Sequence, residues 1–260
     1  MDLKFIVSPA KKMNVDDMFA WRGMPRFIDR TRLVAEALHR LTFDELQKLW
    51  NCSDALAQQN FERLRTCEPG TGWDTGECGL LTPAIMAYEG IQYQNMAPTV
   101  MNDDSLEYIQ DHLRILSGFY GMLRPFDAVI PYRLEMQAKL QVEGAKDLYA
   151  FWGSSLYDAI AEECAGNGAI INIASVEYSK AVTPHIRPDG PQVITCLFGD
   201  ITDAGKLRQR STYAKAARGS FVRWCAENVV DTLDDLRRFD AGYRFDPDRS
   251  TPGTLVFVEA

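Results

Sequence analysis

The sequence predicts an α+β fold, a mixed α/β chain of 260 residues forming a single domain over residues 1 to 260. Three observations carry this. Short runs of strand formers, LKFIV, AIINIA, QVITCLF and TLVFV, lie far apart along the chain. Stretches of helical periodicity fill the intervals. The spacing is not the regular alternation of βαβ units, which favours α+β over α/β. A hydrophobic content of 46% suffices for a full core, and neither an internal repeat nor a low-complexity linker divides the chain.

Residues 3 to 7 form an apolar run that breaks at Ser8-Pro9, so a core strand delivers a loop there. Residues 26 to 66 read as helical: VAEALHRL is periodic, Thr42 and Glu45 have capping-box spacing, and Ser53 precedes DALAQQNFERL. Residues 67 to 79, CEPGTGWDTGECG, have loop composition. Helix resumes after Thr82-Pro83, with proline suited to the first helical position. Over residues 104 to 116, Leu106, Ile109, Leu113 and Leu116 form a helical stripe, and Gly118 then sits where a helix cap needs positive φ.

That stripe runs into LRILSGFYGMLRP, a helix-hairpin-helix-like element near residues 104 to 125. Such a module binds phosphate through backbone N–H groups of its glycine turn, and Gly118, Gly121 and Arg124 supply the parts. The same spacing also joins ordinary packed helices. Strands follow at 169 to 174 and 192 to 198, helices at 212 to 230 and 232 to 238, and a closing strand at 254 to 258.

The net charge of −8 argues against a protein coated in basic residues for nucleic-acid binding. The distribution matters more. Lys206, Arg208, Arg210, Lys215, Arg218 and Arg223 fall in a twenty-residue block without an acid, while Glu227, Asp231, Asp234 and Asp235 follow it. One basic face on an acidic molecule and an ordinary solvated helix face fit this distribution equally. No run of 18 apolar residues exists, and the N-terminus lacks a signal-peptide pattern, so a cytoplasmic protein without a membrane partner is expected. The six cysteines are scattered, with no C-x-x-C and no histidine at ligand spacing. No metal, no cofactor and no protein partner are expected. His39 and His112 fall in helices, where structural roles suit them better than catalytic ones.

Familiar catalytic signatures are missing. Five segments nevertheless concentrate polar chemistry: Ser8 to Lys12, the hairpin with Arg114 and Arg124, the stretch from Pro131 to Met136 with Tyr132, Arg133 and Glu135, the stretch NIASVEYSK with Ser175, Glu177, Tyr178 and Lys180, and Tyr213 to Gly219 with Lys215 and Arg218. Any one of them alone suits a structural role. Together, lysines, arginines, tyrosines and a serine at strand and helix ends suit an anionic ligand, because arginine binds phosphate bidentately and lysine acts as a point charge.

SPAK, LRILSGFYGMLRPFDAVIPYRLEM, KDLYAFWG, INIASVEYSK and YAKAARGSFVRW, in this order over essentially the whole chain, resemble the YaaA family of bacterial peroxide-stress proteins. The resemblance implies a single-domain fold of unusual topology, induction by hydrogen peroxide, a link to limiting free iron, and binding of double-stranded DNA through a positive cleft with a helix-hairpin-helix-like element. It points to Ser8, Lys11, Gly118, Tyr120, Gly121, Arg124, Tyr132, Arg133, Glu135, Glu177, Tyr178, Lys180, Lys215 and Arg218. The sequence departs from the family pattern at Lys12-Met13 and at Val176, where many relatives carry an acid.

The first functional expectation is a DNA-binding protein of the peroxide response, protecting DNA through phosphate contacts from Lys11, Lys12, Arg133, Lys180, Lys206, Arg208, Arg210, Lys215 and Arg218, with Gly118, Tyr120, Gly121 and Arg124. The alternative is an enzyme acting on a nucleotide or damaged base, lyase-like or glycosylase-like, with Ser8, Lys11, Glu177, Tyr178 and Lys180 as candidate catalytic groups. A third reading, an iron or peroxide sensor, would need cysteines, aspartates or glutamates in a compact set.

Overall fold

The computed structural model describes residues 2–66, 79–164, 166 and 168–260. Its centre is an eight-stranded mixed sheet. In chain order the strands are β1 (Leu3–Val7), β2 (Leu113–Ser117), β3 (Gly121–Leu123), β4 (Ala169–Asn172), β5 (Gln192–Ile201), β6 (Leu207–Arg208), β7 (Tyr243–Phe245) and β8 (Thr254–Glu259). The spatial order is β7-β8-β5-β4-β1-β2-β3, with β6 paired to the end of β5. From β8 to β2 every neighbouring pair is parallel, while β3, β6 and β7 add antiparallel edges.

β1, β2 and β4 are buried at every position, as strands covered on both faces must be, and they are largely apolar, with Lys4, Arg114, Ser117 and Asn172 as their buried polar members. The finer preference for α+β gives way to a mixed α/β sheet with a parallel core. The crossover from β1 to β2 takes up residues 8 to 112, and that insertion removes any regular βαβ period. It holds the helices Ile28–His39, Phe43–Trp50 and Asp54–Thr66. The expected capping box is present: the Thr42 hydroxyl accepts from the Glu45 N–H at 3.4 Å, and the Glu45 carboxylate accepts from the Thr42 N–H at 2.8 Å. Except for Gly79, the loop expected at 67 to 79 lies outside the described residues. Pro83 precedes a short helix, Ala84–Ala87, as its cap rather than its first residue.

The helix-hairpin-helix expectation is overturned. The helix Asp103–His112 stops where Leu113 pairs with Phe5, and residues 113 to 123 form a β-hairpin, β2 and β3. Leu113 and Leu116 fit a helical stripe by spacing alone, but β1 offers an open edge, and pairing with it overrides local preference. At the junction His112 Nδ1 meets the Leu3 carbonyl at 2.8 Å. Gly118 does not adopt positive φ; Gly121 does, at 75°. Gly118 is needed because a Cβ there would lie 3.0 Å from the Leu134 carbonyl oxygen. At Gly121 a Cβ would lie 2.8 Å from the Trp152 ring.

The long helix Ser211–Glu227 lies against the helix Ile91–Met96. Their backbones approach so closely at Gly219 that a Cβ there would fall 2.0 Å from the Gln92 carbonyl oxygen. The chain leaves β1 toward β2 on one side and leaves β4 toward β5 on the other. The neighbours β1 and β4 therefore flank a topological switch point, where a crevice opens outside the carboxyl ends of the strands.

Candidate anion-binding cleft

A cleft of about 700 Å³ occupies that crevice. The loop after β1 contributes Ser8 to Lys12, and the turn after β4 contributes Ser175 to Tyr178. Residues 89–93 and 132–135 form further walls, and Ser211, Lys215 and Arg218 enter from the long helix. Four of the five sequence segments thus meet in one place. They were separated by up to two hundred residues in the chain, and the parallel pairing of β1 with β4 joins the first to the fourth.

The two strand-end turns are bonded to each other. Ser8 Oγ accepts from the Ser175 N–H at 2.8 Å and donates to Ser175 Oγ at 3.1 Å. The Ser8 carbonyl accepts from Tyr93 Oη at 3.0 Å and from Gln92 Nε2 at 3.2 Å, which ties the loop to the helix Ile91–Met96. Ser8 is therefore committed to architecture, while the Ser175 hydroxyl keeps its own proton to donate.

The fifth segment lies beneath the cleft and supports it. Ser117 Oγ accepts from the N–H groups of Phe119 and Tyr120, at 3.1 and 2.9 Å, and meets Tyr132 Oη at 2.6 Å. Tyr132 Oη in turn meets Tyr88 Oη at 2.8 Å. Phe119 and Tyr120 are fully buried. The hairpin N–H groups of residues 119 and 120 are satisfied internally, which corrects the expectation that Gly118, Tyr120 and Gly121 face a phosphate. Arg124 departs as well: it lines a separate depression with Arg22, Arg26 and Asp127 and pairs with Glu163 at 2.8 Å.

The charges of the cleft divide by wall. On the side of residues 132–135, Lys11 pairs with Glu135 at 2.7 Å, Arg133 approaches the same carboxylate at 3.8 Å, and Lys12 pairs with Glu89 at 2.6 Å. On the side of the long helix no carboxylate answers Lys215 or Arg218 among the described residues. Burial alone pushes the Arg218 guanidinium below its ordinary value, and its buried Nε has no hydrogen-bond partner. The buried Nε of Arg133 is unbonded too. Such donors carry a desolvation cost that an arriving anion would repay.

Glu177 is half-buried, and burial, with Glu135 adding to it, raises its carboxyl above the ordinary value; the Gln137 N–H, 3.3 Å away, and Lys11 work against that. Burial pushes Tyr132 up to about 12 and raises Tyr178 well above its ordinary value, so both are neutral phenols able to donate hydrogen bonds.

Several expected site residues fall elsewhere. Lys180 is exposed at the end of the helix Val176–Ser179 and does not line the cleft. Lys206, Arg208 and Arg210 sit on or beside the β5–β6 hairpin, where Asp200 pairs with both arginines. The lysine chemistry of the enzyme alternative loses support, because a nucleophilic lysine needs desolvation and the Lys11 side chain is 66% exposed, with Lys215 and Lys180 exposed as well. Burial pushes the Cys164 thiol up to about 12 and raises Cys196 and Cys225 further, the reverse of a reactive thiolate. Among the described residues no group of three or more His, Cys, Asp or Glu is placed to hold a metal ion, and no helix is long and apolar enough to cross a membrane.

Sequence reasoning missed Glu89 to Tyr93 and Ser211. Only Gly90 gave a signal, as a break in an apolar stretch; a Cβ there would lie 3.3 Å from that of Ala10.

A family model described as peroxide stress protein YaaA matches residues 3–249. Related chains from Pediococcus pentosaceus, Lachnoclostridium phytofermentans and Desulfitobacterium hafniense, each described as a UPF0246 protein, are 47%, 44% and 41% identical. Each alignment covers 99% of this chain and 98%, 96% and 98% of the respective relative. With near-complete coverage in both directions and all five motifs inside the matched span, the chain belongs to the YaaA family of peroxide stress proteins.

Proposed function

We propose that this peroxide stress protein acts by binding DNA, with the cleft at the switch point as its phosphate-contacting centre. One observation carries the reading: Lys215 and Arg218 enter a shared cleft with Lys11, Lys12 and Arg133 and have no acidic partner of their own among the described residues. The phosphate contacts are side-chain contacts, since the hairpin backbone is buried. The acidity of the remaining surface makes binding local and sensitive to salt.

Fluorescence anisotropy on a labelled duplex across a salt series tests this. Each phosphate contact contributes a slope of about −0.9 in log K against log salt, so a slope of roughly −2 to −4 is expected. The double variant Lys215→Glu, Arg218→Glu should abolish binding with the thermal melt nearly unchanged. Absence of binding at low salt, or binding without a salt slope, would sink the proposal.

A second reading, an enzyme acting on a nucleotide or base, is favoured by the Glu135 and Glu177 pair. Glu177 is pushed toward its neutral form by burial, which suits it to a general-acid role, and Glu135 lies in the same cleft ion-paired with Lys11. Incubation of nucleotides and abasic DNA with the protein, followed by chromatography, decides it: turnover lost in Glu177→Gln supports it, and unchanged substrates in every case exclude it.

A further inference from the structure

The cleft is too small for a duplex and large for a bare phosphate. Its volume of about 700 Å³ is that of a pocket for a single small organic ligand. Its chemistry is also two-sided. The long-helix wall offers Lys215 and Arg218, cations that no carboxylate pairs among the described residues, whereas the rest of the cleft offers Glu177, the Ser175 hydroxyl and the phenol of Tyr178. A plain anion would use only the first wall. A ligand that uses both carries a phosphate at one end and a flat group with N–H donors and acceptors at the other.

The geometry points to a single unpaired nucleotide as the occupant of this cleft, its phosphate against Lys215 and Arg218 and its base edge against Glu177 and Ser175. Glu177 is the group that discriminates, because a carboxyl oxygen accepts from the exocyclic amine of cytosine or adenine, and a base can be read on that edge only when it is out of its pair. Glu177 is held for this by the Gln137 N–H on one oxygen, and Tyr149 Oη bonds the Glu177 carbonyl at 2.9 Å. Arg218 Nε, buried without a partner, is the group a phosphate oxygen would satisfy. The nucleotide can come free from solution or from a strand in which it is unpaired; the second source rests on the DNA-binding reading above.

The test compares a perfect duplex, the same duplex with one unpaired cytidine, deoxycytidine 5′-monophosphate and inorganic phosphate, all by anisotropy or competition at one salt concentration. The bulged duplex should bind about tenfold more tightly than the perfect one, and the mononucleotide should displace it where inorganic phosphate at equal concentration does not. Glu177→Leu, which removes the acceptor, should bring bulged and perfect duplexes to the same affinity, with circular dichroism confirming the fold. Arg218→Gln should weaken the mononucleotide about tenfold, with circular dichroism confirming the fold. Equal affinity for both duplexes, or displacement by phosphate as good as by the mononucleotide, overturns the inference and leaves duplex binding standing. Mononucleotide binding without any DNA binding overturns the DNA reading and keeps the site, now for a free nucleotide. Failure of every probe to bind overturns both.

Discussion

Arg114 and Arg218 are both guanidinium groups drawn out of water, and the protein treats them in opposite ways. The Arg114 side chain is 3% exposed, its Nε donates to Glu163, and its Nη1 donates to the carbonyls of Gln110 and Leu113 at 3.0 and 2.6 Å. Arg124 completes the arrangement from the far side of Glu163. Arg218 has burial without compensation. A buried cation that is fully bonded serves the architecture, whereas one left unbonded beside an open cleft is reserved for something that arrives. The sequence placed both arginines in segments of concentrated polar chemistry but named only Arg218 as a phosphate contact, and the fold gives the physical difference between them.

The sharpest way to break the contrast is Glu163→Gln, which strands the Arg114 charge. Burial works to raise the Glu163 carboxyl, but Arg114 and Arg124 hold it below its ordinary value, so it is ionised in the fold. Removing one partner of a buried pair costs about 3–5 kcal/mol. Denaturant unfolding should show that loss, while a change under about 1 kcal/mol would mean the network is not structural.

Asp127 belongs to the same compensated region, and its carboxyl is pushed up to about 7, chiefly by burial. Its folded value is above its unfolded one, so its contribution to stability is full below about pH 4 and is lost as pH rises through about 7. The slope is on the order of 1 kcal/mol per pH unit at most. Asp127→Asn, which keeps an oxygen for the Arg124 N–H, should flatten the stability profile between these limits while the cleft's DNA affinity stays the same. An unchanged profile would remove Asp127 from the network's electrostatics.

Gly219→Ala tests the cleft side through its scaffold. The added Cβ collides with backbone, not with a movable side chain tip, so the long helix must shift away from Ile91–Met96. Overpacking of this kind costs about 1–3 kcal/mol. Lys215 and Arg218 ride on the shifted helix, so DNA affinity should fall with stability. Lost stability with intact affinity would show that the position of the two cations matters little.

How far the sequence could be read follows from the same contrast. The strands at β1, β4, β5 and β8 were legible because buried strands are apolar runs bounded by breakers, and the capping box at Thr42 marked its helix. The hairpin at residues 113 to 123 was not, because Leu113 and Leu116 satisfy a helical stripe and a strand alike, and the deciding partner, Phe5, is more than a hundred residues away. Among the site residues, Ser8, Lys11, Arg133, Glu177, Lys215 and Arg218 were legible as chemistry out of place in a core. Nothing local distinguished Lys180 or Arg208 from them, since exposure and the Asp200 pairing are properties of the fold. Glu89 and Gln92 could not be found because only the strand pairing of Glu89 with Lys12 and the packing of the helix Ile91–Met96 at Gly219 bring them to the cleft.

Arg218→Met should leave stability unchanged or slightly higher, since replacing a half-buried guanidinium whose buried Nε is unbonded among the described residues by an apolar group removes a desolvation cost. DNA affinity should nevertheless drop about tenfold, near 1.4 kcal/mol. A clear loss of stability would mean that Arg218 has a structural partner after all, and would erase the distinction from Arg114.

The smallest effect is expected where basic charge is exposed and already paired. Arg208 shares Asp200 with Arg210 at the surface, and exposed pairs contribute about 0–1 kcal/mol. Arg208→Ser should therefore change the thermal melt little. Its effect on DNA affinity should be well below that of Arg218→Met, because a phosphate reaching Arg208 must compete with the carboxylate that already holds it. An equal loss of affinity from the two substitutions would shift the phosphate contacts out of the cleft and onto the β5–β6 hairpin. The compensation of a cation would then be no guide to its use in this family.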